Sequence, residues 1–405
     1  MKKRHWGLPS VLAAALMAWL PPGFAQTISP LRQGFDAAWA RQPEQRAAAM
    51  RHEAAAANLA AARRWTPEPP SLEVSARTDQ LHRNEGTREY DATVAVPLWL
   101  PGERSRAEGV AAAETAALDA RLAAAQWRLA GEVRDAHWAH RRALVEQGLA
   151  QQRLANARQI SADVARRVKA GDLSRADGHQ AEAAAAAAQG TLAEADAALV
   201  QAAQAWAALT GQPPAGEGHE PLPAGEPPGP HPALREWQSR SELARRQKDL
   251  AGVQTRSNPE LTLGAGQERG SAAERYGQTV TVGIRIPLGS SSASRGRQAQ
   301  AGAELIEAET QLELETQKLR SQVEVARAHV QALEAAQAAV EQRATLARES
   351  RGFFDKSFRA GESDLPTRLR IELEAFEAER QAQRARIEVD AAVSQLRQAL
   401  GLLPE

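Results

Sequence analysis

The sequence contains no cysteine among its 405 residues. Structural disulfides, thiolate metal sites, cysteine nucleophiles and a lipid-bearing N-terminal cysteine are therefore excluded. The formal charge is zero, with 50 basic and 50 acidic residues, so nothing in the charge balance favours nucleic acid as a partner. Aromatic residues make up only 4%, and the hydrophobic fraction of 43% is largely alanine. This composition predicts helices packed closely through small side chains, without a thick aromatic core.

Long hydrophobic runs are missing beyond the N-terminus. Residues 1–25 combine a basic start, "MKKRHWG", an apolar stretch and a small-residue end, "PPGFA". This pattern predicts a signal peptide, with a retained N-terminal anchor as the alternative. No other apolar run reaches about 18 residues, so we expect an exported chain without a transmembrane helix. If the chain lies in a membrane, we expect an outer-membrane barrel.

Catalytic motifs are missing from the sequence as well. It has no nucleophile elbow, no P-loop and no zinc-protease motif, so we expect neither an enzyme nor a cofactor. His137 and His140 form an i, i+3 pair in "HWAH", a spacing that can hold a metal. No third ligand is evident nearby. A polar helix surface is the favoured interpretation, and no metal site is predicted.

What the sequence does have is an internal duplication. Pro97 in "VPLW" and Pro287 in "IPLG" are 190 residues apart, and so are Gly171 and Gly361. An offset this steady predicts two domain-sized repeats. Their bounds are 27–211 and 232–401, joined by a Pro/Gly-rich segment that is expected to be an extended linker or surface stretch, 212–231.

Each repeat has the same predicted order of elements. A first helix precedes two strands, a long helix follows, and a Gly-containing turn leads into a returning helix. The expected first helices are 27–64, interrupted near Pro43, and 232–255. The expected first strands are 71–78 and 260–266, and the expected long helices are 103–169 and 295–359. A simple two-stranded coiled coil is the plainer alternative for the helices.

The second strand of each repeat is predicted to end at its proline. In "YGQTVTVGIRIP" the alternation places one apolar set on a single face: Val280, Val282, Ile284 and Ile286. The length suits a tilted barrel strand, and a strand pair in a soluble α+β domain is the alternative. Four strands cannot close a barrel, and an open edge inside a bilayer is costly. Closure therefore requires several copies, and three copies supply twelve strands.

These features together resemble the TolC-like outer-membrane efflux factor family, over about Leu31 to Gly401. The carriers of the resemblance are the duplication, the strand-to-helix junctions at Pro97 and Pro287, and the two turns. The run "VAVPLWLPGERSRAEGVAAAE" is similar to the heavy-metal (CzcC-like) branch, where Pro-Leu, a Gly-Lys/Arg pair and an Ala-rich helix recur. Here Glu103 separates the glycine from the arginine.

The resemblance implies a mainly α fold with a small β part. Duplicated long helical hairpins would form a periplasmic α-barrel, and four strands per chain would contribute to a trimeric twelve-stranded outer-membrane β-barrel. It further implies a homotrimer that contacts outer-membrane lipid, a periplasmic membrane-fusion adaptor and an inner-membrane proton-driven (RND-type) pump. No nucleic-acid partner is expected.

The turns between the hairpin helices are the best candidate functional sites. In the family a glycine at such a turn, and an aspartate six residues later, recur at the closed periplasmic end. Gly171 and Asp177 match, whereas Thr367 stands six residues after Gly361, and Glu362 or Asp364 would have to substitute there. The turn glycines also have a simpler explanation, a backbone with positive φ. The expected adaptor-contact and gate residues are Gly171, Asp172, Leu173, Asp177, Gly361, Glu362, Asp364, Leu365 and Thr367.

Two further groups of residues follow from the expected barrel. Pro97 and Pro287 mark the strand-to-helix junctions, because proline cannot donate to a sheet but fits a first helical turn. Tyr90, Trp99 and Tyr276 stand at strand ends, which is typical of membrane-interface aromatics.

The function implied is a passive outer-membrane exit duct of a tripartite efflux system. Metal cations are favoured as substrate by the branch resemblance alone. The alternative is a periplasmic coiled-coil adaptor or structural protein without a membrane barrel.

Overall fold

The computed structural model describes residues 29–82, 84–214, 216–225, 229–289 and 292–405, and the predicted signal peptide lies outside them. In the first half the chain forms α1 (Pro30–Arg41), α2 (Pro43–Ala62), β1 (Ser71–Thr78), β2 (Arg88–Pro97), α3 (Glu103–Ala170) and α4 (Arg175–Thr210). In the second half it forms α5 (Pro232–Val253), β3 (Glu260–Arg269), β4 (Gly277–Arg285), α6 (Ser292–Ala360) and α7 (Leu365–Ala399). The mainly helical fold class with a small β part is confirmed.

The two long helices have nearly equal lengths, 68 residues in α3 and 69 in α6. At 1.5 Å per residue each spans on the order of 100 Å. Among the described helices, none combines the length and apolar composition that crossing a bilayer requires. The expected interruption near Pro43 is present, because Gln42 is extended and Pro43 opens a new first turn.

The four strands form one antiparallel sheet in the order β1-β2-β3-β4. The two repeats meet at its centre, where β2 pairs with β3 from Arg88↔Arg269 to Pro97↔Glu260. Pairing among the described residues therefore leaves β1 and β4 as edges.

The sheet separates apolar from polar side chains. Its register places Leu72, Val94, Leu263 and Val282 in one row across all four strands. Side chains alternate along a strand, so this row belongs to one face, here called the apolar face. It carries Leu72, Val74, Ala76, Tyr90, Ala92, Val94, Val96, Leu261, Leu263, Ala265, Val280, Val282 and Ile284. The opposite, polar face carries Glu73, Arg77, Glu89, Asp91, Thr93, Thr262, Gly264, Gly266, Thr279, Thr281, Gly283 and Arg285.

The long helices pack side by side in a wall, each against its neighbours. Next to the sheet their order is α2, α3, α5, α6, because α3 packs against both α2 and α5, and α5 packs against α6. Farther from the sheet the order is α4, α3, α7, α6. In both parts of the wall α6 is one edge. The other edge belongs to the first repeat, α2 near the sheet and α4 farther from it.

Three buried charges join the two repeats near the middle of this wall. Glu220 accepts from Arg134 on α3 at 2.9 and 2.7 Å, and from Arg397 on α7 at 3.2 Å. None of the three is more than 2% exposed. Removing one partner from such a buried group typically costs about 3–5 kcal/mol. The segment expected to be an extended linker or surface stretch is thus anchored in the core at Glu220.

His137 is buried beside this cluster, so the polar-surface interpretation is wrong for this residue. Its ring is 4% exposed and meets Trp138 and Trp206 edge-on, at 4.9 and 5.8 Å between ring centroids. Its Nε2 lies 3.2 Å from the carbonyl oxygen of Glu217. Burial lowers the pKa of His137 to about 4, although the hydrogen bond with Glu217 opposes the shift.

The burial of His137 predicts an acid-sensitive fold. Because its folded-state pKa lies below the ordinary value of 6.5, its neutral form contributes stability above pH 6.5. That stability is lost progressively as the pH falls towards 4, since the unfolded chain takes up the proton first. His137→Gln should flatten the dependence of the thermal midpoint on pH in this range, whereas His179→Gln at an exposed position should not. An equally steep profile for His137→Gln would contradict this.

Candidate functional site at the helix tips

The turns of the two helical hairpins lie together at the end of the wall opposite the sheet. One apolar cluster joins them, with Leu365 from the second turn and Leu173 from the first packed around Phe358. The cluster also contains Ile160, Val164 and Ala181 from the first hairpin. The structure therefore brings the residues predicted at the two turns into one region.

Both turns close by the same backbone geometry. Gly171 has φ of 89° and Gly361 has φ of 81°, a left-handed conformation that side chains disfavour. The amide of Asp172 donates to the carbonyl of Arg167 at 2.9 Å, and Glu362 does the same to Ser357 at 2.9 Å. This is the Schellman closure of a helix C-terminus. It is sufficient reason for glycine at these two positions.

The acidic residues after each glycine differ in their hydrogen bonds. Asp177 and Ser174 form a capping box, in which each side chain accepts from the other's backbone amide, at 3.0 and 3.2 Å. Asp364 caps α7 by accepting from the amide of Thr367 at 3.0 Å, and hydrogen bonding from Thr367 lowers the pKa of this aspartate. These two carboxylates therefore start the returning helices.

Five predicted tip residues remain exposed at the surface: Gly171, Asp172, Gly361, Glu362 and Asp364. Leu173 is half-buried, and Leu365 is only 1% exposed. Asp172 and Glu362 are thus the carboxylates at the tips that are both exposed and outside the helix caps described above.

Sequence reasoning missed the charged clamp that holds the tips together. The Phe358 ring lies between two guanidinium groups, with Arg167 at 4.8 Å and Arg368 at 4.7 Å from its centroid. Arg368 also contacts Asp355 at 2.6 Å and Asp163 on α3 at 3.9 Å. The only sequence signal was an aromatic residue three positions before the turn glycine, and this signal does not identify its partners.

The strand-to-helix junctions are not identical in the two repeats. Pro97 is the last residue of β2, as predicted, but β4 ends at Arg285, two residues before Pro287. Glu103, which interrupts the branch pattern, is 2% exposed at the first junction. It accepts from the amide of Leu100 at 2.9 Å, and from Gln254 and Asn258 at 2.8 Å each. This carboxylate therefore ties the start of α3 to the connection between α5 and β3.

The three predicted interface aromatics lie at two ends of the sheet. Tyr90 and Tyr276 are near the hairpin loops, with ring centroids 6.4 Å apart. Trp99 is at the helical end, where its Nε1 donates to the carbonyl of Arg64 at 3.1 Å. In the parts of the chain that the structure describes, no group of three or more His, Asp or Glu is placed to hold a metal ion.

A long helical wall that continues a four-stranded sheet with one apolar face is the architecture expected of an outer-membrane channel subunit. The family model for outer membrane efflux proteins matches residues 35–212 and 230–402. The chain therefore belongs to the outer membrane efflux protein family. This membership agrees with the expectation that it is not an enzyme. Among curated proteins, none matches its sequence.

Solved outer-membrane channels share this fold at low sequence identity. The outer membrane protein VceC of Vibrio cholerae matches with a TM-score of 0.74 and 19% identity, covering 93% of this chain and 97% of VceC. The CmeC channel of Campylobacter jejuni matches at 0.73 and 12%, covering 98% and 94%. The open state of the Neisseria gonorrhoeae MtrE channel matches at 0.71 and 19%, covering 92% and 89%.

The packing of Leu365 predicts that the tips loosen when this side chain is shortened. Leu365→Ala removes a buried group from the cluster around Phe358 and should cost about 2–5 kcal/mol locally. Faster amide hydrogen exchange across both turns is the expected readout. Leu373→Ala, which truncates a 46% exposed side chain on the same helix, serves as the control. Equal exchange in the two variants would show that Leu365 does not hold the tips.

Proposed function

We propose that this chain is one subunit of a homotrimeric outer-membrane channel, the passive exit duct of a tripartite efflux system. The observation that carries the proposal is the matching order of open edges in the sheet and in the helical wall. β1, α2 and α4 come from the first repeat and lie on one side. β4 and α6 lie on the other.

A head-to-tail ring of identical copies would pair edges of this kind with each other. A contact between two different surfaces of identical subunits closes into a ring when the rotation permits. In such a ring β4 of one copy would pair with β1 of the next, and α6 would pack against α2 and α4. Three copies would give twelve strands, and a closed sheet removes every free edge.

The α6 edge is apolar enough for such a contact. Its large exposed apolar side chains fall within about 100° around the helix axis, at 3.6 residues per turn. They are between 54% and 67% exposed: Ile306, Leu314, Val325, Leu346 and Phe353. The opposite edge exposes Met50 on α2 and Val200 on α4. A neighbouring copy would cover both sets.

The two faces of the sheet suit a channel in a bilayer. The apolar face would contact lipid, and the polar face would line the lumen. Tyr90 and Tyr276 would lie at one membrane interface and Trp99 at the other. Pro97 and Pro287 would mark the exit from the membrane into the periplasmic wall.

The tips are proposed as the contact for a periplasmic adaptor and as the gate. A groove of about 730 Å³ lies between the two hairpins next to the tips, lined in part by Ile160, Leu369, Leu373 and Phe376. The exposed turns around Asp172 and Glu362 border this end of the wall. Adaptor binding would bias a rearrangement of the tips, and an inner-membrane proton-driven pump would supply substrate.

The proposed substrate is a metal cation, on the resemblance to the heavy-metal branch. A passive duct needs no metal site of its own. A periplasmic adaptor or structural protein without a barrel is the alternative, and family membership and the open-edged sheet favour the channel.

The faces of β4 predict opposite outcomes for two neighbouring substitutions. Val282→Arg puts a charge on the apolar face, which costs about 2–4 kcal/mol near the middle of a bilayer, and should strongly reduce outer-membrane trimer. Thr281→Arg on the polar face should still yield trimer. Light scattering of detergent extracts, corrected for detergent, measures the mass. A wild-type monomer in the periplasm would refute the channel proposal, and equal tolerance of both substitutions would refute the assigned faces.

The substrate proposal predicts a metal phenotype in the native host. Deletion of the gene should raise the cellular content of divalent metal cations, measured by elemental mass spectrometry under metal stress. Wild-type chain should restore export, and the Val282→Arg variant should not. If the metal content is unchanged and the deletion strain retains an organic dye, the substrate is an organic compound and the metal proposal is wrong.

A further inference from the structure

A pair of arginines interrupts the apolar face at the loop end of the sheet. Arg88 on β2 and Arg269 on β3 are direct partners in the register. They occupy the row after Tyr90, on the same face as the apolar side chains. Like charges directly opposite each other across two strands are destabilising, so this row requires compensation.

Only one of the two arginines finds a carboxylate within the described chain. Arg88 donates to Asp79 at 2.7 Å and to the carbonyl of Thr87 at 2.7 Å. Arg269 uses its Nε, which donates to the carbonyl of Gly86 at 3.1 Å, and its guanidinium lies 4.9 Å from the centre of the Tyr276 ring. No carboxylate of the described residues forms an ion pair with it. Its terminal nitrogens therefore retain the geometry that binds an oxyanion in two places.

The surrounding loops hold Arg269 in place. The amide of Ala272 donates to the carbonyl of Glu85 at 3.1 Å, and Thr87 donates to the carbonyl of Gly270 at 3.0 Å. A Cβ on Gly86 would clash with the backbone of Ala272, so the two hairpin loops are in direct contact. An arginine anchored between two joined loops loses little freedom when it binds a ligand.

We propose that Arg269 binds the phosphate of a lipid headgroup in the outer leaflet. This inference rests on the proposed function, in which the apolar face contacts lipid and the loops face outwards. Below Arg269 the face offers Leu263 and Val282 for acyl chains. Tyr90 and Tyr276 lie at the boundary between the two. A phosphorylated lipid would contact the arginine with its phosphate and the apolar side chains with its acyl chains. A free anion would contact the arginine alone.

The polar face provides a matched control at nearly the same level. Arg77 is one residue from the Arg88 row in the register, on the opposite face, and donates to Glu89 at 2.8 Å. Its charge is already paired, and its face points away from the proposed lipid. Arg77→Gln and Arg269→Gln therefore remove the same charge from the two sides of one sheet.

The test uses purified trimer in detergent, incubated with lipid A that carries its phosphates or with dephosphorylated lipid A. Native mass spectrometry measures the bound lipid. Wild-type trimer should retain the phosphorylated form preferentially. Arg269→Gln should weaken that retention about tenfold, the loss of one charge-assisted contact, and Arg77→Gln should not. Arg269→Lys, which keeps the charge without the fork, should retain part of the preference.

Each contrary result has a distinct meaning. An intact Arg269→Gln trimer that retains phosphorylated lipid like the wild type would overturn this inference and leave the channel proposal standing. Displacement of the lipid by inorganic phosphate alone at equal concentration would show a free-anion site and would overturn it too. A wild-type chain recovered as a periplasmic monomer would overturn the proposed function, and this inference with it.

Discussion

The sheet and the helical wall both end at edges that no other described segment of the chain covers. The sheet stops at β1 and β4, and the helical wall stops at α6 on one side and at α2 and α4 on the other. Backbone donors on a strand edge and apolar side chains on a helix edge both require partners. One rotation in the proposed ring would pair both kinds of edge. The first repeat supplies one edge of the sheet and of the helical wall, and the second repeat supplies the other edge of each. In such a ring the lumen would follow from closure of the sheet and of the wall.

At the tips, backbone hydrogen bonds fix each turn, whereas charged side chains take part in the contact between the two hairpins. Glycine closures and capping residues fix how each hairpin turns, and these are local interactions within a few residues. The link between the hairpins is different, because Phe358 is held by arginines from both of them, and Arg368 reaches two aspartates. A rearrangement between the hairpins would therefore have to break these side-chain contacts, while each turn could keep its backbone hydrogen bonds. Such a division suits a gate.

Local rules made much of the fold predictable. Proline and alternation located β1 at Ser71–Thr78 and the end of β2 at Pro97, and uninterrupted helix formers located α3 from Glu103. The same rules predicted that β4 continues to Pro287, two residues beyond its observed end. They do not determine where pairing with β3 stops. The contacts that were missed join residues distant in sequence. Nothing in the sequence pairs Arg134 with Glu220 or Arg167 with Phe358, because these contacts form only when the hairpins pack. The burial of His137 depends on the same packing.

The buried contact of Glu220 would also limit the symmetry of the proposed ring. Two similar repeats per chain and three chains would approach sixfold symmetry. Glu220 lies in the connection between the repeats, so it occurs once per chain, and it joins Arg134 of one repeat to Arg397 of the other. The ring would therefore keep threefold symmetry only, and the grooves within a chain would differ chemically from those between chains. A partner protein would meet two kinds of groove in alternation.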